Sequence, residues 1–272
     1  MRPRATAGQR CVLDCSRVVA FMLAFVGWKS YARSVAAALS LAVVWATAAF
    51  CQRKPANHII NLSLPRSGTV SFAGIFDAHG SSHEFMLSET INALLDYREK
   101  KISREALKRF LADRQNKAGH RIDSASFFFL APDVVIEAFP DAAYFFSVRD
   151  CAAWIVSMVD NAMYAHQVIR EGRPTLDLSF LDRYSELFVH NQSRDIYLST
   201  TTVKQSAPHI VHDLAVFWRR YTLQTLDAML PLRADKRLII RLDNFNRSLA
   251  QFAKLAGVDA STLNSQNIHL NK

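Results

Sequence analysis

A chain of 272 residues, half of them hydrophobic, has enough apolar material for a sizeable core, so it is not a disordered segment; its length favours one or two domains. The formal charge of +9 suggests nucleic acid only until it is located: residues 1–57 carry eight basic residues and one acid, whereas residues 58–272 carry 25 basic and 23 acidic. The excess belongs to the N-terminal segment, which argues against nucleic acid as a partner of the main domain. Three of the four cysteines (Cys11, Cys15 and Cys51) lie in that segment, and Cys151 alone lies beyond it, so no disulfide framework is implied. Cys11 and Cys15 have no second pair beside them for a metal, and read as ordinary thiols or acylation sites beside a membrane.

Val35–Cys51 is a run of 17 residues interrupted only by Ser40 and Thr47, with Lys29 and Arg33 before it and Arg53 and Lys54 after it. That is the lower limit for spanning about 30 Å of hydrocarbon. A shorter apolar run, Val18–Trp28, precedes it. Six basic residues before Val35 against two after Cys51 predict a single-pass signal anchor with a cytoplasmic N-terminus and the main domain across the membrane, Golgi-type in a eukaryote. Two other readings stay open. Ala46-Thr47-Ala48 resembles a cleavage site, which would give an exported or soluble domain, and an Arg-rich, acid-poor segment also suits organelle targeting. The domain boundary falls near Arg53–Asn57, giving 1–57 as a basic segment with the expected anchor and 58–272 as the main domain. Asn191-Gln192-Ser193 and Asn246-Arg247-Ser248 are glycosylation triplets that fit a lumenal domain; Asn61-Leu62-Ser63 falls in a strand and should be inaccessible.

From residue 58, short apolar runs alternate with helical spacing. Ile59–Leu64, Tyr144–Val148 and Leu238–Leu242 read as strands, each followed by a polar turn and a helix. Helices are predicted near Phe72–Phe76 and over Phe85–Tyr97, Arg104–Arg114, Pro132–Phe139, Ala152–Tyr164, His212–Leu230 and Ser248–Ala256. Ser103 suits an N-cap with Glu105 in the first turn, and Gly257 a C-terminal cap. Arg170–Pro208 reads as a helix with long loops. The expected fold is α/β: a three-layer sandwich around a mainly parallel sheet, preceded by the N-terminal apolar helix.

The first strand stops at Pro65 and runs into Arg66-Ser67-Gly68-Thr69-Val70-Ser71 at the start of a helix. Unpaired amides, hydroxyls and one guanidinium at a helix N-terminus suit a phosphate or sulfate. The loop is P-loop-like but lacks the second glycine and the Lys-Ser/Thr pair of a Walker A motif. Further on, Phe145–Val148 ends in Arg149-Asp150, with Ser157 eight residues after the arginine on a helix. Ligands in open α/β sheets bind at that end of the strands.

Together these two motifs resemble the PAPS-dependent sulfotransferase family, over roughly residues 58–260. In that family a Pro-Lys/Arg-Ser-Gly-Thr-Thr loop holds the donor's 5′-phosphosulfate, which the resemblance carries to Pro65, Arg66, Ser67, Gly68, Thr69 and Val70. An Arg and a Ser eight residues on hold the 3′-phosphate, here Arg149 and Ser157. Arg237–Phe245 running into Phe252–Val258 looks like the family's last strand and helix. Arg66 stands where many members have Lys, Val70 replaces a hydroxyl residue, and no Gly-rich nucleotide loop is evident near the C-terminus. The resemblance implies PAPS as donor, no metal, and in-line sulfuryl transfer to a hydroxyl or amine of a small-molecule, carbohydrate or protein acceptor.

The acceptor's proton needs a base. Glu84 is the first choice by resemblance to branches with an Arg-Ser-Gly loop, and His83 the second, since an imidazole has a suitable ordinary pKa. Arg66 is given electrostatics, since guanidinium keeps its proton. A helix-end role suits His79, and Glu84 could equally serve the N-terminus of the following helix. Asp123, Ser124 and Ser126 are candidates to line an acceptor pocket, and His209, His212 and Asp213 form a metal-like cluster for which N-capping by Asp213 is the safer reading. The rivals are a P-loop nucleotide kinase or hydrolase, with Asp150 or Asp243 as metal-binding acid, and a non-catalytic binding protein on the same scaffold. The sequence leaves the acceptor and the oligomeric state open.

Overall fold

The computed structural model describes residues 58–170, 183, 187 and 207–266. The expected anchor Val35–Cys51, the cleavage triplet, Cys11, Cys15, Cys51, the boundary near Arg53–Asn57, the Asn191 triplet and nearly all of 171–206 lie outside these residues. Among the described residues no helix is long and apolar enough to cross a membrane.

Five strands, β1 (Ile59–Asn61), β2 (Ser81–His83), β3 (Ile122–Ser124), β4 (Ala143–Val148) and β5 (Arg237–Arg241), form one sheet in the order β2-β3-β1-β4-β5. Every neighbouring pair is parallel; Ile59 lies beside both Ile122 and Ala143, and Phe145 beside Leu238. All five carboxyl ends therefore share one edge. Successive residues of β1 and β4 face opposite sides. Ile59, Ala143 and Phe145 pack under α1 (Thr69–Ile75), and under α7 (Leu249–Ala256) after β5. Ile60, Tyr144 and Phe146 pack under α2 (Leu87–Arg98), α3 (Arg104–Ala118), α4 (Pro132–Ala138), α5 (Cys151–Arg170) and α6 (Ala207–Met229). The fold is the expected α/β sandwich, with helices on both faces of a parallel sheet.

Aromatic packing fixes α1 against β4: the Phe72 and Phe145 rings stack 4.2 Å apart at 8°, with Phe252 of α7 edge-on to both. On the other face Trp154 stacks on Phe217, centroids 5.7 Å apart. Ser103 caps α3 by accepting the Ala106 amide at 3.2 Å, and Gly257 ends α7 in the left-handed region, both as the sequence suggests.

The differences are local. β1 ends at Asn61, three residues before the expected Leu64, because the chain turns into the loop. Two strands were not expected, β2 and β3, each of three residues and mostly polar. The helix expected from Phe85 starts at Leu87, so Glu84 does not cap it. Asp213 lies inside α6, which begins at Ala207, so the N-cap expected of it is wrong; the His209 side chain lies outside the description.

His58, just before β1, meets Phe139 edge-on at 5.2 Å, and its Nε2 is buried without a hydrogen-bond partner. Burial lowers its pKa from 6.5 to about 4; Asp123 opposes the shift, while His120 and Arg114 add to it. Between these two values the unfolded chain binds a proton that the folded chain does not, so stability is full above 6.5 and falls as pH drops towards about 4. His58→Phe should flatten the decline of the urea midpoint across that window; an unchanged slope would contradict this assignment.

Candidate functional site

The shared carboxyl edge brings together the segments after β1, β2, β3 and β4. The loop after β1 is held chiefly by its carbonyl oxygens. Leu64 O accepts from Ser67 N at 3.2 Å, Pro65 O from the Trp154 indole at 2.8 Å, and Arg66 O from Arg149 Nη1 at 2.9 Å. Ser67 O accepts from the Ser147 hydroxyl, Gly68 O from Phe72 N at 2.8 Å, and Thr69 O from Ser124 Oγ at 2.8 Å. Six consecutive oxygens are thus bound to the protein. The amides of Gly68, Thr69 and Val70 enter α1, where the first amides have no acceptor within the helix, and they are left for a guest.

The supporting polar groups are buried. Asn61, Ser63, Ser124 and Ser147 have no exposure. Asn61 Nδ2 donates to Ser124 Oγ at 2.9 Å, its Oδ1 accepts Ser63 N at 2.9 Å, and Ser63 Oγ accepts Ser147 N at 2.8 Å. Buried polar atoms need such partners, and each has one. The Ser67 hydroxyl, equally buried, has none. An oxyanion in the cradle would supply the acceptor it lacks, so this orphaned donor fits an anionic guest.

Arg66 has φ 63 and Gly68 φ 83, both in the left-handed region. A non-glycine there costs of order 1–3 kcal/mol and persists only where neighbours hold it. Ser157 on α5 accepts from Arg66 Nε at 3.0 Å, and Arg149 holds the Arg66 carbonyl. Arg66, Arg149 and Ser157 therefore come together, but Ser157 meets Arg66, whereas the motif spacing pairs it with Arg149. Burial, then the charge of Arg66, pull the Arg149 pKa below its ordinary value. Neither arginine has a carboxylate partner among the described residues, so two cations adjoin without neutralisation. Asp150 does not pair with Arg149; its Oδ1 accepts Ala153 N at 3.1 Å at the start of α5.

Across the loop lie Glu84 and His83. Glu84 Oε1 accepts from Ser126 Oγ at 2.7 Å, and that hydroxyl lies 3.2 Å from Thr69 Oγ1. His83 Nε2 lies 3.3 Å from Thr69 Oγ1 and 3.7 Å from Glu84 Oε1. Burial lowers the pKa of His83, partly offset by the charges of Glu84 and Asp123, which favours the neutral ring. Ser71 is buried in the first turn of α1.

Two sequence readings change, those of Asp123 and Ser124, while His79 keeps its helix-end place. Asp123 does not line a pocket: it is buried and paired with Arg114, because a charge there must be neutralised. Ser124 supports the loop backbone. His79 sits at the end of a short 3₁₀ helix, bonded to Thr262 Oγ1 at 2.9 Å. Asn61, Ser147, Trp154 and Arg114 were missed. Asn61 and Ser63 alternate within an apolar run, and Ser147 interrupts Phe-Phe-Val; polar residues at buried strand positions were the available signal. Among the described residues no three metal-ligating side chains cluster.

No family model and no curated protein matches the chain. Its structure is similar to a sulfotransferase from Alicyclobacillus acidocaldarius (15% identity, TM-score 0.40, covering 78% of this chain and 85% of that one). It is also similar to a sulfotransferase domain from the curacin biosynthetic pathway (13% identity, TM-score 0.39, covering 76% of each).

A Cβ on Gly68 would lie 2.7 Å from Leu242 Cδ1, at a φ of 83. Gly68→Ala should cost about 1–2 kcal/mol from backbone strain alone, read as a lowered urea midpoint. In a double-mutant cycle with Leu242→Ala the two changes should be non-additive, since truncating Leu242 removes the overlap; additivity would contradict the close approach.

Proposed function

We propose that this chain is a sulfotransferase that takes a sulfuryl group from PAPS and delivers it to a hydroxyl or amine. The supporting observation is the loop with its oxygens bound inward, flanked by two unneutralised guanidiniums and, across Thr69, by a carboxylate. The orphaned Ser67 hydroxyl and the free amides of Gly68, Thr69 and Val70 suit the donor's phosphosulfate; Ser71 stands behind them in the first turn. Arg149 and Ser157 are assigned to its 3′-phosphate. The donor would supply an activated sulfur–oxygen bond, which would break as the acceptor's oxygen or nitrogen bonds to sulfur, releasing 3′-phosphoadenosine 5′-phosphate with the electron pair.

The residues of this chain then have separate tasks. Arg66 offsets negative charge growing at the loop, and keeps its own proton. Glu84 takes the acceptor's proton at Oε2, because Oε1 is held by Ser126. His83, kept neutral by burial, is the second candidate for that proton. The kinase reading loses support because Asp150 caps α5 and Asp243 pairs with Arg241 at 2.7 Å. The acceptor is a small molecule, a carbohydrate or a protein side chain. Val35–Cys51 is assigned as a signal anchor; full-length protein should resist alkaline extraction from membranes, and release into the soluble fraction would refute the assignment.

Arg66→Ala and Arg149→Ala should each abolish the thermal shift given by 3′-phosphoadenosine 5′-phosphate and lower labelled-sulfate transfer by about 100-fold or more. Glu84→Gln should keep that thermal shift while kcat falls about 10²–10⁴-fold. Retained turnover in Glu84→Gln would move the base to His83. A shift with ATP and none with the 3′-phosphorylated nucleotide would refute the donor assignment.

A further inference from the structure

Arg114 is the largest charged side chain wholly inside the described core; its side chain is 1% exposed, and that of Asp123 2%. It lies near the end of α3, and nothing in the proposed reaction uses it. Its guanidinium lies between the Phe85 and Phe128 rings, 5.6 and 5.2 Å from their centroids, and pairs with both oxygens of Asp123 on β3. A buried ion pair is weak evidence for stability, because apolar residues of similar volume often serve as well. The other contacts of Arg114 say more. Nε and Nη2 both donate to the Phe85 carbonyl, at 3.1 and 2.7 Å, and Nε also reaches Thr90 Oγ1 at 2.9 Å.

Phe85 sits between two left-handed non-glycine residues, Glu84 at φ 56 and Met86 at φ 50. Two such residues so close together cost a few kcal/mol and need neighbours that enforce them. The Phe85 carbonyl belongs to neither strand nor helix, and two of the arginine's nitrogens hold it. β3 completes the arrangement: Asp123 fixes Arg114, Ser124 O accepts the Glu84 amide at 3.3 Å, and shortly after the strand Ser126 holds the Glu84 carboxylate.

We infer that Arg114 is a positioning residue for Glu84: its fork clamps the Phe85 carbonyl and so holds the bend that delivers the carboxylate to Ser126 and Thr69. The inference rests on Glu84 being the base, and it assigns Arg114 no contact with donor or acceptor. Lysine cannot replace it, since one ammonium cannot serve a carboxylate, a carbonyl and a hydroxyl in the same fixed plane.

The test uses Arg114→Lys and the double variant Arg114→Met/Asp123→Leu, which removes the pair without stranding a buried charge. Crystal structures of both, with kcat, donor KM and the thermal shift given by 3′-phosphoadenosine 5′-phosphate, are the readouts. Expected are folded proteins in which Glu84 leaves Ser126, with kcat down about 10–100-fold and donor KM and thermal shift as in wild type. Glu84 still bonded to Ser126 in the double variant, or wild-type kcat, would overturn the inference. So would parallel loss of kcat and nucleotide binding, which a merely structural role predicts. Wild-type protein without sulfuryl transfer would defeat the proposed reaction instead, and the position of Glu84 in the two crystal structures would still decide whether Arg114 holds the bend.

Discussion

The site depends on where the oxygens of one short loop are fastened. Between Leu64 and Thr69 every carbonyl accepts a hydrogen bond, and four of the six donors are side chains from distant parts of the chain: Trp154, Arg149, Ser147 and Ser124. Once the oxygens of Ser67, Gly68 and Thr69 are committed on the protein side, the amides of the same peptide planes, those of Gly68, Thr69 and Val70, face away from them. A loop free to turn its peptides over would offer oxygens to an anion and repel it. Parallel strands make the fastening feasible, because the ends of β3 and β4 flank the end of β1 and deliver Ser124, Ser147 and Arg149 to one place.

That arrangement explains the polar residues inside the sheet. Asn61, Ser63, Ser124 and Ser147 occupy positions that apolar side chains would fill at lower desolvation cost. Together they form a hydrogen-bonded chain linking β1, β3 and β4 beneath the loop, with its two end hydroxyls, Ser124 and Ser147, donating to the loop's oxygens. The cost is small because each group is satisfied. The exception is the Ser67 hydroxyl, which is buried in the loop without a partner.

Charge at the site is arranged differently from that of four other described arginines. Arg104 and Arg183 bridge pairs of carboxylates, and Arg233 and Arg241 each meet an aspartate two residues away. Arg66 and Arg149 adjoin each other; Arg149 donates to the Arg66 carbonyl and Arg66 to the Ser157 hydroxyl. Holding two guanidiniums together in a partly buried place is unfavourable without an anion, and the lowered pKa of Arg149 expresses that cost. An anion of the kind proposed for the loop would offset that cost.

Much of this was legible in the sequence, and the gaps have physical causes. The three apolar runs and the helices between them were readable because long elements repeat a hydrophobic period. β2 and β3, Ser-Ser-His and Ile-Asp-Ser, were not, because three mostly polar residues carry no period and are strands only by pairing with neighbours. Arg66, Gly68, Arg149 and Ser157 could be picked out from local spacing. Their mutual order could not, since the meeting of Ser157 with Arg66 depends on how α5 packs.

The bend at Glu84 lay furthest from view. Left-handed φ at Glu84 and Met86 contradicts what those residue types prefer, so only a restraint from elsewhere produces it. That restraint comes from Arg114, thirty positions along the chain and on another helix, anchored in turn by an aspartate that the sequence offered as a pocket residue. A carboxylate in the role proposed for Glu84 must be aimed without being neutralised by a cation of its own. Clamping the neighbouring backbone, and leaving the arginine's charge to Asp123, does both.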